Sequence, residues 1–122
     1  MRAIFISGPI TAPTFYQVQQ NIRRAEAILV KLIKKGWSVH CSHKNSEFLQ
    51  GALHKHPEED FERWMAVDFE MLSRCDAIFM MKNWRKSRGA KMEHIEAKRL
   101  EKLIYYEEKG DLIGNDKVRE KQ

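Results

Sequence analysis

Apolar positions along the chain follow two alternating rhythms. Residues 2–7, Arg-Ala-Ile-Phe-Ile-Ser, form a short apolar run that stops at Gly8-Pro9, as a buried strand does at a turn. From about Tyr16 to Lys35 the period lengthens. Ile22, Ala25, Leu29, Leu32 and Ile33 recur near the spacing of one helical face, and Gly36 stands where a helix would stop. Residues 37–41, Trp-Ser-Val-His-Cys, read as a second strand. Residues 42–57 hold Asn, Ser, Gly, His and Pro without a period. They predict a long loop, with at most a turn of helix around Glu47–Leu53, and loops of that length in small domains often serve as lids or binding loops. Pro57-Glu58-Glu59-Asp60 opens a helix that runs to about Arg74, with proline in the first turn and acids at the positive end of the dipole. Residues 76–81 are apolar after Asp76, as in a strand covered on both faces. A connection over 83–89, a helix to about Lys102 and a strand over 103–106 follow, and the chain from 107 to 122 is a polar tail.

The order β-α-β-α-β-α-β predicts an α/β fold, with a parallel sheet covered by helices on both faces. Ligands of such sheets bind outside the carboxyl ends of the strands. Three segments reach that edge: Ser7–Thr11, the loop after Cys41, and Lys82–Gly89.

Composition narrows the class. A chain of 122 residues, 43% apolar and 32% charged, suits one globular domain. Two cysteines, Cys41 and Cys75, exclude a disulfide framework and a four-cysteine zinc site. No apolar run approaches the ~20 residues of a membrane span, and the first residues lack the apolar centre of a signal peptide. The expectation is a cytoplasmic, reduced protein with no membrane association. Lysine and arginine number 22 against 17 acids, a net +5 that suits a phosphate-bearing small molecule. The bases are scattered and form no arginine-rich arm, so a nucleic-acid polymer is not the expected partner.

Two acids break the pattern. At ~100° per residue, Phe61, Trp64, Met65, Leu72 and Cys75 share one stripe of their helix, and Asp68 lies in the middle of it. In the next helix the stripe Glu93, Ala97, Leu100, Ile104 begins with an acid, just after a strand's carboxyl end. A bare buried carboxylate costs several kcal/mol, so each acid has a partner or faces a cavity. Asp68 reads equally as a brace for a loop. Two carboxyls with separated pKa values can divide the work of nucleophile and general acid or base. A glycosidic bond is the natural target, because its transition state puts positive charge on the sugar. The helix dipole and nearby bases are expected to keep Glu93 ionised.

Three segments carry a resemblance. Ile4-Phe5-Ile6-Ser7-Gly8-Pro9-Ile10-Thr11 resembles the first strand and turn of the nucleoside 2-deoxyribosyltransferase-like superfamily. Asp68 with Cys75-Asp76-Ala77-Ile78 resembles its middle segment, and Ser87-Arg88-Gly89-Ala90-Lys91-Met92-Glu93 with Ala97 its small-Gly-x-x-x-Glu-x-x-x-Ala signature. The similarity spans roughly residues 2–106, with the tail 107–122 beyond it. It implies a Rossmann-like three-layer sandwich on a mainly parallel sheet of four or five strands. It also implies cleavage of an N-glycosidic bond, with Glu93 as nucleophile through a glycosyl-enzyme ester and Asp68 contacting or protonating the base. Asp76 would support the fold. Relatives acting on nucleoside 5′-monophosphates carry a serine six residues before the nucleophile, as Ser87 does here, where transferases on free nucleosides carry an acid. A hydroxyl and backbone amides at a helix start accept a phosphate, and Arg85, Lys86 and Arg88 point the same way.

The implied activity is therefore hydrolysis of a nucleoside or deoxynucleoside 5′-monophosphate to base and sugar 5-phosphate. The alternatives are a deoxyribosyltransferase exchanging bases and a non-catalytic nucleotide-binding module. Candidate substrate-binding residues are Ser7, Gly8, Pro9, Ile10, Trp84, Ser87 and Gly89. Trp84 reads either as a pocket wall that stacks on a base or as packing against its helix. Phe15 and Tyr16 have the same two readings. Phe5 stands where the family often places a tyrosine that bonds the nucleophile, and the first turn lacks the arginine of the phosphate-binding relatives, so Glu93 needs another orienting group. His40, His43, His54 and His56 match no structural zinc spacing and read as surface or lid residues. No cofactor and no metal is expected, and the resemblance implies a homodimer or larger homo-oligomer, in which the polar tail with Asn115 is a candidate to reach a neighbour's pocket.

Overall fold

A computed structural model describes residues 1–47, 49, 52 and 57–113. Four strands, β1 (Ala3–Ser7), β2 (Ser38–Cys41), β3 (Ala77–Met80) and β4 (Leu103–Tyr106), form one all-parallel sheet in the order β2-β1-β3-β4. Helices cover both faces, which makes the fold a Rossmann-like three-layer α/β sandwich. The alternation of side chains along each strand sorts the core in two. Ile4, Ile6, Phe79 and Met81 meet Ala25, Ile28 and Leu32 of α1 (Phe15–Lys34) on one face. Phe5, Ile78 and Met80 meet Leu72 of α3 (Pro57–Ser73) and Ala90 and Ala97 of α4 (Arg88–Arg99) on the other.

Helix α1 starts at Thr14, whose side chain accepts from the Gln17 amide while Gln17 reaches back to the Thr14 N–H. Its buried stripe is Ile22, Ala25, Ile28 and Leu32; Ile33, expected inside, is exposed. Gly36 ends the helix at φ 97°, as its position suggests. Asp76 Oδ2 accepts the Ala3 N–H at 2.7 Å, tying the start of β3 to that of β1. The expected long loop after β2 begins instead with one helical turn, α2 (Ser42–Asn45), closed by the Ser46 N–H on Ser42 O at 3.0 Å. Residues 48, 50, 51 and 53–56 of that stretch, with His54 and His56, lie outside the described residues, as does the tail from 114 with Asn115. The beginning of the polar tail is ordered. A 3-10 turn at Glu107–Lys109 leads Leu112 and Ile113 back onto the α1-face core. Among the described residues no helix is long and apolar enough to cross a membrane.

The strand order reverses direction at β1, because α1 leads outward to β2 and α3 returns across β1 to β3. The crevice this leaves at the carboxyl edge lies beside Ser7 and Met80, which are paired in register. Gly8 follows immediately. A Cβ there would meet Met81 Sδ at 2.5 Å and Met81 Cβ at 2.7 Å. We expect Gly8→Ala to destabilise the protein by about 1–3 kcal/mol through overpacking, read as a lowered urea midpoint. Met81→Ala should not rescue it, because the methionine Cβ remains.

Candidate active site

Glu93 and Asp68 meet at that crevice. Glu93 sits in the second turn of α4 and is 4% exposed; Asp68 sits mid-way along α3 and is 7% exposed. The two carboxyls lie within hydrogen-bonding reach of each other. Ser7 Oγ, at the end of β1, donates to Glu93 Oε1 at 2.6 Å. Three elements thus bring one polar group each to a single point, and the two acids that spoil the apolar stripes satisfy one another.

Their electrostatics correct one expectation. Burial pushes Glu93 well above the usual carboxyl range, and the Asp68 charge and hydrogen bond push it further; only the Ser7 hydroxyl pulls it down. Burial also raises Asp68, while the bond from Glu93 opposes that rise. A second negative charge beside the first is disfavoured at this buried position, which poises the pair to share one proton. Glu93 is therefore not held ionised by the helix dipole and nearby bases. The bases are occupied elsewhere: Arg85 pairs with Glu108 at 2.8 Å and stacks over the Trp84 ring, and Arg88 pairs with Glu58 at 2.7 Å over the Phe61 ring.

The dyad opens onto a cavity of about 510 Å³. Phe61, Trp64 and Met65 wall it from α3; Gly8, Ile10 and Thr11 from the first turn; and Ser87, Arg88, Gly89 and Ala90 from the start of α4. Ser42, Asn45 and Ser46 close it from the α2 side. The apolar stripe of α3 thus does two jobs: its first half faces the cavity, its second half packs on the sheet with Leu72 and Cys75, and Asp68 lies at the boundary. Ser87 caps α4, its Oγ accepting the Ala90 N–H at 3.1 Å.

Of the candidate residues, Gly8, Ile10, Ser87, Gly89, Asp68 and Glu93 line this one cavity, and Ser7 reaches it through Glu93. Pro9 does not line it. Its carbonyl accepts from His43 Nε2 at 2.9 Å, and its ring borders a smaller hollow beside α1. Trp84 does not line it either. It is buried against His94, ring centroids 4.3 Å apart, in the core beneath α4, so the packing reading of this residue is the correct one. Phe15 and Tyr16 are exposed and take no part.

His43, read as a surface or lid residue, is fully buried. Burial lowers its pKa to about 4, so the ring is neutral and donates through Nε2 to Pro9 O. Asn21 Nδ2 donates to Ile10 O at 3.2 Å. These two side chains hold the first turn; Asn21 carries no signal in the sequence that marks it out, and the place of His43 is set by a contact between distant segments. His40 is half-buried and stacks with Phe5 at 5.3 Å. Among the described residues no group of three or more His, Cys, Asp or Glu is arranged to hold a metal.

A family model described as Domain of unknown function (DUF4406) matches residues 2–106. No curated protein matches the chain.

The shared proton has a consequence for stability. A carboxyl whose folded pKa lies above its unfolded value makes the native state bind the extra proton, so stability falls as pH rises through that interval and is unaffected below it. Glu93→Gln removes the cost of taking up that proton on folding, and its amide can still donate to Asp68 and accept from Ser7. Its melting temperature should exceed that of the parent by roughly 3–6 °C at pH 7, for a gain of about 1 kcal/mol. The gain should vanish near pH 4, as thermal melts at the two pH values will show.

Proposed function

The chain belongs to the DUF4406 family, and from the site we propose that it is an N-glycosidase that cleaves a nucleoside 5′-monophosphate, ribo or deoxy, to free base and sugar 5-phosphate. The observation that carries this reading is the buried Glu93–Asp68 pair, both carboxyls pushed up by burial, opening on an aromatic-walled cavity. It agrees with the resemblance to the nucleoside 2-deoxyribosyltransferase-like superfamily in the same residues.

The chemistry balances on one proton shared by the pair. On substrate binding the proton passes to Asp68, and the Glu93 carboxylate attacks C1′ of the sugar. The C1′–N bond breaks, its electron pair leaves on the base nitrogen, and Asp68 delivers the proton to the base. Glu93 is then a neutral glycosyl ester and Asp68 a carboxylate, so the charge of the pair is unchanged. A water gives its proton to Asp68 and its hydroxide to C1′, and the ester opens to restore the resting pair. Phe61 and Trp64 offer flat apolar surface to a base. The hydroxyl of Ser87 and the amides at the start of α4 suit a phosphate.

One observation favours a second reading. Arg88 is already matched by Glu58, and Glu58 and Asp60 line the same cavity. That mouth suits an uncharged nucleoside, hence a deoxyribosyltransferase that passes the sugar to a second base instead of to water. Cytoplasmic nucleotide turnover by a homo-oligomer is the setting either reading implies.

Purified protein incubated with nucleosides and their 5′-monophosphates should release free base from a monophosphate without any added acceptor, seen by chromatography. Glu93→Ala should lower the rate by about a thousandfold or more. Release only when a second base is present selects the transferase. No release from any substrate, with Glu93→Ala binding nucleotide as well as the parent, leaves a binding module and refutes the enzyme.

A further inference from the structure

The hydroxyl that meets Glu93 comes from a rigid part of the molecule. Ser7 ends the central strand β1 and is 1% exposed. Its carbonyl accepts the Met81 N–H at 2.8 Å, and the next residue, Gly8, is pressed against Met81. With its backbone fixed on both sides, a serine has one torsion left to place its oxygen. Glu93 has three, and among the described residues no cation holds it: Arg85 and Arg88 are engaged by Glu108 and Glu58.

Strand parity explains why the group is at position 7. Phe5 and Ser7 point to the same face, toward α3 and α4. Phe5 is sealed in the core and has no hydroxyl to offer. Two residues of strand advance the chain by about 6.6 Å, so a short side chain at 7 begins where a long one at 5 would end. The Ser7 contact on Oε1 is short and buried.

We propose that Ser7 is the positioning residue of this site: its hydroxyl, donated to Oε1, fixes the rotamer of Glu93 and so aims the carboxylate at the sugar carbon. The proposal rests on the reading of Glu93 as nucleophile. Ser7 touches neither sugar nor base in this role, and it stands apart from the cavity-lining residues.

Ser7→Ala tests it in the full chain. A misaimed nucleophile should cost about 10–100-fold in kcat with KM changed less than about twofold. Losing a donor to the charged form should also move the acid limb of the kcat/KM profile upward by about one pH unit. Ser7→Thr, which keeps the hydroxyl, should recover most of both. If Ser7→Ala does not fold, Ser7→Cys keeps the volume and donates weakly, and should give intermediate shifts. A kcat within about twofold of the parent and an unmoved acid limb overturn the proposal. Should the parent cleave no substrate, the function proposed above fails, and Ser7 is judged separately by carboxyl ¹³C titration of Glu93. An upward move in the variant supports positioning, and an unmoved titration refutes it.

Discussion

Two carboxyl groups within hydrogen-bonding reach of each other inside a largely apolar wall resist carrying charge together. Everything distinctive about this protein follows from that constraint. The fold is a small parallel α/β sandwich of a common kind, and its two core clusters need no acids. Yet α3 and α4 each turn an acid inward at the same height, and the carboxyl edge of β1 supplies the hydroxyl that meets Glu93. A fold that keeps a destabilised pair in place stores free energy that ordinary surface acids would not. Such a pair is poised to hold a proton at a pH where free carboxyls have lost theirs, and the proposed cleavage would use that proton.

The scaffold around the pair is built to keep it still. Gly8 allows the first turn to lie against Met81, while His43 and Asn21 hold its carbonyls from two different elements. Across the cavity, the Arg88–Glu58 pair joins the beginnings of the two helices that carry the acids. An exposed pair of this kind adds little stability, but it bridges α3 and α4 at the mouth. Rigid strand ends and helix starts define the site, an arrangement that places side chains more accurately than loops do.

The fold was legible because each element carries its own period. The β3 run is apolar at every position from Ala77 to Met80, and the apolar residues of α1 recur at helical spacing, so the layers are written in local sequence. Glu93 and Asp68 were legible for the opposite reason, since an acid within an apolar stripe has to be accounted for. Their charge state was not, because it depends on a distance between two helices that no local pattern encodes. Arg85 and Arg88 look available for a phosphate in the sequence; the partners that occupy them, Glu108 and Glu58, lie 23 and 30 residues away. Trp84 is ambiguous at the level of sequence because a large aromatic after a strand serves a pocket or a core equally well. His43 was misread because a single buried hydrogen bond to Pro9 decides its place.

Infrared difference spectroscopy at pH 6 tests the central claim most directly, since it counts protonated carboxyl groups through their carbonyl stretch. At that pH ordinary aspartates and glutamates, with pKa values near about 4, are ionised. The account predicts one protonated carboxyl per chain from this site in the parent, absent from Glu93→Gln. A parent spectrum with no protonated carboxyl, identical to that of the variant, would mean that both acids ionise independently and would contradict it.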